Sequence, residues 1–408
     1  SAAAPVDPAA ALLRDLAACS SDAERIRTLT DLVCGAAADV LGHPDRESIG
    51  PERRFLELGV DSLTAVELRN RLATATGLRL PAGVVFSRTS AAELAEELRV
   101  RLDERVGGGE AESAAAGSGF GMGEEHGSAY TGGDGVVDLF RSACAAHRAE
   151  DGLRLLQAAA RLRPAFTADE AEAAESEPVR LAEGGASPRL VCLPSLVLIA
   201  GPHEYARFAA ALRGAHGIDA LPHPGYSAGQ PIPADVEAAA EAQAQSVLKA
   251  VGDESFVLLG RSSGGWMAQA VAESLELRGR GPAGLVLLDT PLPAEFSLAE
   301  VIEAGILDRD GELDLADSAR ATAMGGYLAA FARWAPQKTT APTALVRPAD
   351  PVTDRNGVLM RAEQWHFTWP LPHDSVQVPG DHLTMLEDHA EETAHAVRDW
   401  VATAVDSR

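Results

Sequence analysis

The residues most able to do chemistry in this 408-residue sequence sit in the run Gly260-Arg261-Ser262-Ser263-Gly264. The apolar stretch Phe256-Val257-Leu258-Leu259 leads into it, and a helical pattern leaves it from Gly265. A strand that turns straight into a helix admits only small residues two positions either side of a nucleophile, and it lifts the serine oxygen above the sheet. Gly260 and Gly264 are symmetric about Ser262, whereas Ser263 would need a glycine at Arg261. Ser262 is therefore the candidate nucleophile. The backbone N–H of Ser263, at the start of the next helix, is a candidate oxyanion donor, because a helix N-terminus favours developing negative charge.

A serine hydroxyl needs a base, and the base needs an acid to orient it. On a sheet with such an elbow the chain order is serine, acid, histidine. Asp289 ends the next apolar run, Leu285 to Leu288, which should put its carboxylate at the carboxyl edge beside Ser262. A simple cap on the turn toward Pro291 stays open for it. Of 11 histidines, His382 lies between the strand-like Ser375-Val376-Gln377-Val378 and the last helical stretch, a setting that suits a base on a late loop. His366, His373 and His389 lack that setting, and the adjacent Asp381 is a rival orienting acid.

A second serine has a different character. Leu58-Gly59-Val60-Asp61-Ser62-Leu63 opens an amphipathic helix, so Ser62 is expected outside the core with its hydroxyl exposed, as attachment of a prosthetic arm requires. Asp61 and Ser62 as plain helix caps are the simpler alternative. The wider segment from Phe55 to Leu102 resembles an acyl carrier protein of a modular polyketide synthase. The likeness rests on Phe55 to Leu63, on Glu67-Leu68-Arg69-Asn70-Arg71-Leu72 and on Gly77-Leu78-Arg79-Leu80-Pro81. It implies that Ser62 bears 4'-phosphopantetheine, added by a phosphopantetheinyl transferase. It also implies that Glu57, Asp61 and Glu67 form a face that docks basic partner surfaces, although a solvated face explains any one of them equally well. The run Ser87-Arg88-Thr89-Ser90 departs from the family, which usually has proline then threonine there.

The elements that must position these groups divide the chain. Residues 103–133 are rich in Gly, Ser, Ala and Glu without apolar period, and are expected to be a flexible linker. Before it, Ile26, Leu29, Leu32, Val33, Ala36 and Val40 recur at helical spacing, as do Leu63, Val66, Leu68 and Leu72, then Leu94, Leu98 and Leu102, which predicts a small three-helix bundle. After it, short apolar runs at 190–193, 256–259, 285–288 and 343–346 alternate with helical stretches near 203–213, 234–250, 264–278 and 383–402. That order predicts a doubly wound, mostly parallel α/β sheet. The formal net charge of -25 disfavours nucleic acid and anionic membranes. No apolar run reaches the ~18 residues of a membrane span. Four cysteines without metal-ligand spacing fit a reducing, cytoplasmic setting. The start at Ser1-Ala2-Ala3-Ala4 is expected to be a cut from a longer chain, without a signal peptide.

With Ser262, Asp289 and His382 in this order, residues 136–408 resemble the terminal thioesterase of a modular polyketide synthase. Further matches are Gly201-Pro202-His203-Glu204-Tyr205, Pro224-Gly225-Tyr226, Trp369-Pro370 and Pro379-Gly380-Asp381-His382. The resemblance implies an α/β-hydrolase fold with a lid insertion between Leu292 and Arg333. It implies that a polyketide acyl chain, built by upstream synthase domains, passes from Ser62 to Ser262. Release then follows by macrolactonisation or hydrolysis. It adds the N–H of Leu196 as a second oxyanion donor. The helices at 136–162, with apolar faces at Val137, Phe140, Leu153, Leu156 and Leu162, are expected to form a homodimer contact, packing on their own domain being the alternative. Arg261, where the family usually has histidine, and the run Pro194-Ser195-Leu196 depart from the pattern. Arg261 is the feature that leans toward a catalytically inactive hydrolase fold that only binds or dimerises. The expected division is a flank at 1–20, a carrier at 21–102, the linker, and the thioesterase at 134–408.

Overall fold

The computed structural model describes residues 8–41, 49–53, 55, 62–78, 80, 84–87, 90–114, 135–306, 317–353 and 367–405. They fall into two units, residues 1–129 and 130–408.

The first unit is helical: α1 (Pro8–Ala18), α2 (Asp22–Leu41), α3 (Ser62–Thr76), the short α4 (Val84–Ser87) and α5 (Ala91–Ala114). Leu29 and Val33 of α2, Leu68 and Leu72 of α3, and Leu94, Leu98 and Leu102 of α5 make one buried cluster. These are the rows the periodicity selects, because residues three and four apart share a helix face. The bundle has one more substantial helix than expected. Leu12 and Leu16, one turn apart on α1, join the same core, so the described part of the expected flank at 1–20 belongs to the bundle. A second correction concerns the linker. Helix α5 runs on through Ala114, 12 residues into the segment expected to be unstructured. Extending a helix already nucleated on a packed face adds one hydrogen bond per residue fixed, which lets a weak former such as Gly107-Gly108-Gly109 continue it. The remainder, 115–133, lies outside the described residues, as does most of the α2–α3 loop.

The second unit is built on a seven-stranded sheet of order β2-β4-β3-β6-β7-β8-β9. Its strands are β2 (Val179–Ala182), β3 (Gly184–Leu193), β4 (Gly214–Ala220), β6 (Phe256–Arg261), β7 (Gly284–Leu288), β8 (Thr343–Pro348) and β9 (Asp374–Val378). All neighbours are parallel except the edge pair β2–β4. Two-residue strands β1 (Ala165–Phe166) and β5 (Ile232–Pro233) pair separately. Every residue of β7 is buried, as expected for a strand covered on both faces. Helices α9 (Val236–Val251) and α10 (Gly264–Leu277) cover the face of Val191, Leu258 and Leu285. A Cβ on Gly284 would instead meet Trp400 of α13 (Ala390–Ala404). Successive strand residues face opposite ways, so α13 covers the other side, where it packs with α8 (Ala206–Ala211).

Helices α6 (Val136–Ala145) and α7 (Ala149–Ala160) precede the sheet, and α11 (Leu298–Glu303) and α12 (Ser318–Phe331) lie between β7 and β8, where the insertion was expected. The four share one cluster: Val137, Phe140, Leu153 and Leu156 pack with Leu298, Ile302, Ala321 and Met324. The apolar faces expected to meet a second subunit are thus mostly covered within their own unit. Leu139, 40% exposed, and Leu162, 88% exposed, remain. Among the described residues no helix is long and apolar enough to cross a membrane.

Candidate active site

The elbow is tight because its neighbours leave no room. A Cβ on Gly260 would strike the Gly264 carbonyl, and one on Gly264 would strike the carbonyls of Leu193 and Pro194. Between them Ser262 takes φ +50, a left-handed conformation that costs a non-glycine residue about 1–3 kcal/mol. Two backbone bonds hold it there: its N–H donates to the Leu288 carbonyl at 2.9 Å, and its carbonyl accepts from Gly265 N–H at 3.0 Å. Helix α10 starts at once at Gly264.

Asp289 follows β7 as Ser262 follows β6, and their strands are in register, Arg261 opposite Leu288. It too is left-handed, at φ +43, with its N–H donating to the Val346 carbonyl at 2.8 Å. Its carboxylate Oδ2 accepts from His382 Nδ1 at 2.7 Å, while Oδ1 is buried and has no partner among the described residues. Ser262, Asp289 and His382 are 6%, 1% and 6% exposed. The Nδ1 bond fixes the tautomer that leaves Nε2 as the acceptor. The rival acid Asp381 is otherwise engaged. Its Oδ1 accepts from Leu383 N–H, Thr384 N–H and Thr384 Oγ1, all at 2.9 Å, closing the turn that carries His382. Asp289 is likewise no mere cap of the turn to Pro291, since its carboxylate faces the imidazole.

The two expected oxyanion donors are adjacent but differently placed. Leu196 N–H already donates to the Ser263 hydroxyl at 2.8 Å, and the Leu196 carbonyl accepts from Tyr226 O–H at 2.8 Å. Ser263 stands at the N-cap of α10. Behind this loop His223 gives a ring N–H to the Pro194 carbonyl at 2.7 Å and accepts from Gln243 Nε2 at 3.0 Å. Burial pushes its pKa down to about 4. Arg320, from α12, donates through Nε to the Leu198 carbonyl at 2.6 Å and through the guanidinium to Ala200 O, and lies 5.5 Å over the Tyr226 ring. Burial lowers its pKa from the ordinary arginine value.

One cluster escaped the sequence reading. Arg261 pairs with Glu204 at 2.8 Å, with side chains 12% and 8% exposed, and also donates to the His382 carbonyl at 3.0 Å. Glu204 accepts from Ser195 N–H at 2.8 Å and Ser195 Oγ at 2.9 Å. Arg261 and Glu204 are 57 residues apart, and no spacing pairs them. The only signals were the charged residue beside the nucleophile and the Gly201 to Tyr205 match.

In the first unit Ser62 is the first residue of α3. Its side chain, and Glu57 through Asp61, lie outside the described residues. Glu67, in contrast, is exposed and accepts from Arg71 at 2.9 Å.

Two matches agree with these features. Residues 188–401 match the family described as the thioesterase domain, and residues 31–98 match the phosphopantetheine attachment site. The chain belongs to the thioesterase-domain family, with a carrier domain ahead of it. More particularly, it is similar to polyketide synthases. It is 44% identical over 391 residues to polyketide synthase GfsE of Streptomyces halstedii, covering 94% of this chain and 10% of that protein. It is 38% identical over 389 residues to the spectinabilin synthase protein NorC of Streptomyces orinoci, covering 94% and 16%. It is 36% identical over 368 residues to erythronolide synthase EryA3 of Saccharopolyspora erythraea, covering 89% and 11%. The chain thus spans between 10% and 16% of the length of these relatives. Among solved structures, the NocB thioesterase domain aligns with TM-score 0.43 and 20% identity over 55% of this chain and 99% of that one.

Proposed function

We propose that the chain is the releasing end of a polyketide synthase: a carrier holds the finished acyl chain, and Ser262 takes it and lets it go as a lactone or a free acid. The observation that carries this reading is the buried Asp289–His382 bond of 2.7 Å beside a serine held at φ +50 on a strand–helix elbow. As Ser262 Oγ attacks the thioester carbonyl, His382 Nε2 takes its proton. Asp289 stabilises the imidazolium that forms. The oxyanion falls to Ser263 N–H, with Leu196 N–H joining once the Ser263 hydroxyl releases it. His382 returns the proton to the leaving sulfur. The same histidine then activates the incoming nucleophile, either a hydroxyl of the chain or water, which breaks the ester and restores Ser262.

The first unit fits the group this requires. Ser62 is a hydroxyl at the N-terminus of a 15-residue helix, where the helix dipole favours the phosphodiester anion. When bound there, 4'-phosphopantetheine supplies the thiol that carries the chain as a thioester. The reading further includes a phosphopantetheinyl transferase, upstream synthase domains and a cytoplasmic location. A homodimer would rest on Leu139 and Leu162, and a monomer in light scattering at working concentration removes it.

The deciding experiment measures turnover of an acyl thioester by the parent and by Ser262→Ala, with a serine-reactive fluorophosphonate followed by intact mass. Loss of at least about 10³-fold and labelling at Ser262 are expected. Equal rates sink the assignment, and an unlabelled parent would leave a fold that only binds.

A further inference from the structure

Arg261 stands next to the nucleophile yet points away from solvent, and its partners lie on two separate loops, the connection after β3 and the loop that carries His382. It ends β6, so its backbone is part of the elbow itself. Its guanidinium reaches Glu204, in the turn Pro202–Tyr205, at 2.8 Å, and the His382 carbonyl at 3.0 Å. Glu204 in turn takes both donors of Ser195, the residue before Leu196. Ser195 Oγ also lies 3.3 Å from the Arg261 carbonyl, closing the circuit.

His382 is consequently gripped at two ends, its ring by Asp289 and its backbone by Arg261. A charge pair this deeply buried is a poor source of stability, since desolvation offsets most of its attraction. What it does supply is direction. A planar guanidinium offers two acceptors fixed positions at once, which an ammonium cannot. Nor is Arg261 placed to receive a substrate anion: both terminal nitrogens are engaged, and Nε is buried without a partner among the described residues.

We propose that Arg261, through its pair with Glu204, is a positioning residue that sets the His382 loop and the Ser195–Leu196 loop against the nucleophile. This rests on the releasing activity proposed above. Misplacing a reacting group by about 1 Å costs about 10²-fold, so the clamp should show in kcat while leaving substrate binding alone.

The test compares the parent, Ser262→Ala, Arg261→Lys, Arg261→Gln and the double variant Arg261→Gln/Glu204→Gln on one acyl thioester. The full two-domain chain is used. The double variant removes both charges together, so no lone buried carboxylate is left to unfold the domain. Arg261→Gln and the double variant are expected to lose about 10- to 100-fold in kcat with KM within about threefold of the parent. Arg261→Lys keeps the charge and should still lose about tenfold, because one ammonium cannot serve Glu204 and the His382 carbonyl together. The downfield Nδ1–H resonance of His382 in the proton NMR spectrum should shift or broaden in the double variant. A parent-like kcat and resonance in Arg261→Lys overturn the proposal. So does a raised KM at unchanged kcat, which would mark Arg261 as a substrate contact. A parent with no turnover, or one that Ser262→Ala does not impair, refutes the underlying activity instead.

Discussion

The two units bury very different things. In the carrier's described core the buried polar residues are Thr76 and Ser90, both uncharged, and the rest is leucine, valine, alanine and a few larger apolar side chains. Its ion pairs include Arg71–Glu67, exposed on both sides, and Arg99–Glu96, partly exposed, each within about one turn of a helix. The thioesterase unit instead hides Asp219, Asp289, His216, His223 and His382, and pairs Arg261 with Glu204 out of water. Under the proposed function, a domain whose serine is modified and then handled by other proteins needs only a stable frame. A domain proposed to sharpen a serine itself has to hold polar groups where water would otherwise level their interactions.

The largest effect that follows from this contrast lies at Asp289. Asp289→Asn should keep the fold but no longer hold the imidazolium. A fall of about 10⁴-fold in kcat is expected, by analogy with other serine triads. Activity within tenfold of the parent would mean the buried carboxylate is only a turn element, and the contrast between the units would lose its functional meaning.

The carrier should be sensitive to a different kind of change. Leu68 is fully buried on α3 among Leu29, Leu72 and Leu94. Leu68→Ala should destabilise the carrier by about 2–5 kcal/mol, the transfer term plus the cavity it leaves. Urea unfolding of the carrier followed by circular dichroism measures it. A loss below about 1 kcal/mol would show that this core is too loosely packed to serve as the frame just described.

Acid should act on the thioesterase unit through His223. Its folded pKa is depressed to about 4 from an ordinary 6.5, because burial disfavours the cation. Below pH 6.5 the unfolded chain takes up a proton that the folded one refuses. Stability present above pH 6.5 is therefore lost as pH falls toward 4, by about 1.4 kcal/mol per pH unit within that window. Denaturant midpoints at pH 7 and pH 5 test this, with His223→Gln expected to flatten the slope. An equal slope in parent and variant would shift the acid sensitivity to other groups.

Much of the candidate site's geometry was legible in the sequence where local chemistry dictates local shape. Strand β6, its two glycines and the helix behind them are a continuous signal, because each part constrains its neighbour. Asp289 could be placed because β7 is uniformly apolar up to it. Strand β4 could not: it reads Gly-Ala-His-Gly-Ile-Asp-Ala, and its buried Asp219 is accommodated by Arg180 and Arg189 from strands β2 and β3. Helix α1 was missed because an alanine-rich segment with leucines at 12, 13 and 16 gains its helical bias from docking on the bundle. The same holds for the Leu196 donor, whose engagement with Ser263 Oγ depends on residues 67 apart. Long-range polar partners carry no period, and no window of sequence holds both.

The smallest expected effect sharpens the comparison from the carrier side. Arg71 donates to Glu67 four residues earlier at 2.9 Å and lies 3.6 Å from Asp39 on α2, with side-chain exposures of 45%, 50% and 70%. Solvent and salt screen such pairs, and holding the long side chains in place offsets part of the attraction. Arg71→Ala should therefore cost only about 0.3–0.5 kcal/mol of carrier stability, and the difference should fade as ionic strength rises. Chemical denaturation at low and high salt reads both numbers. A loss above about 2 kcal/mol, insensitive to salt, would mean that Arg71 ties α2 to α3 in a way its exposure does not suggest. The carrier would then depend on an organised charge as the thioesterase does at Arg261.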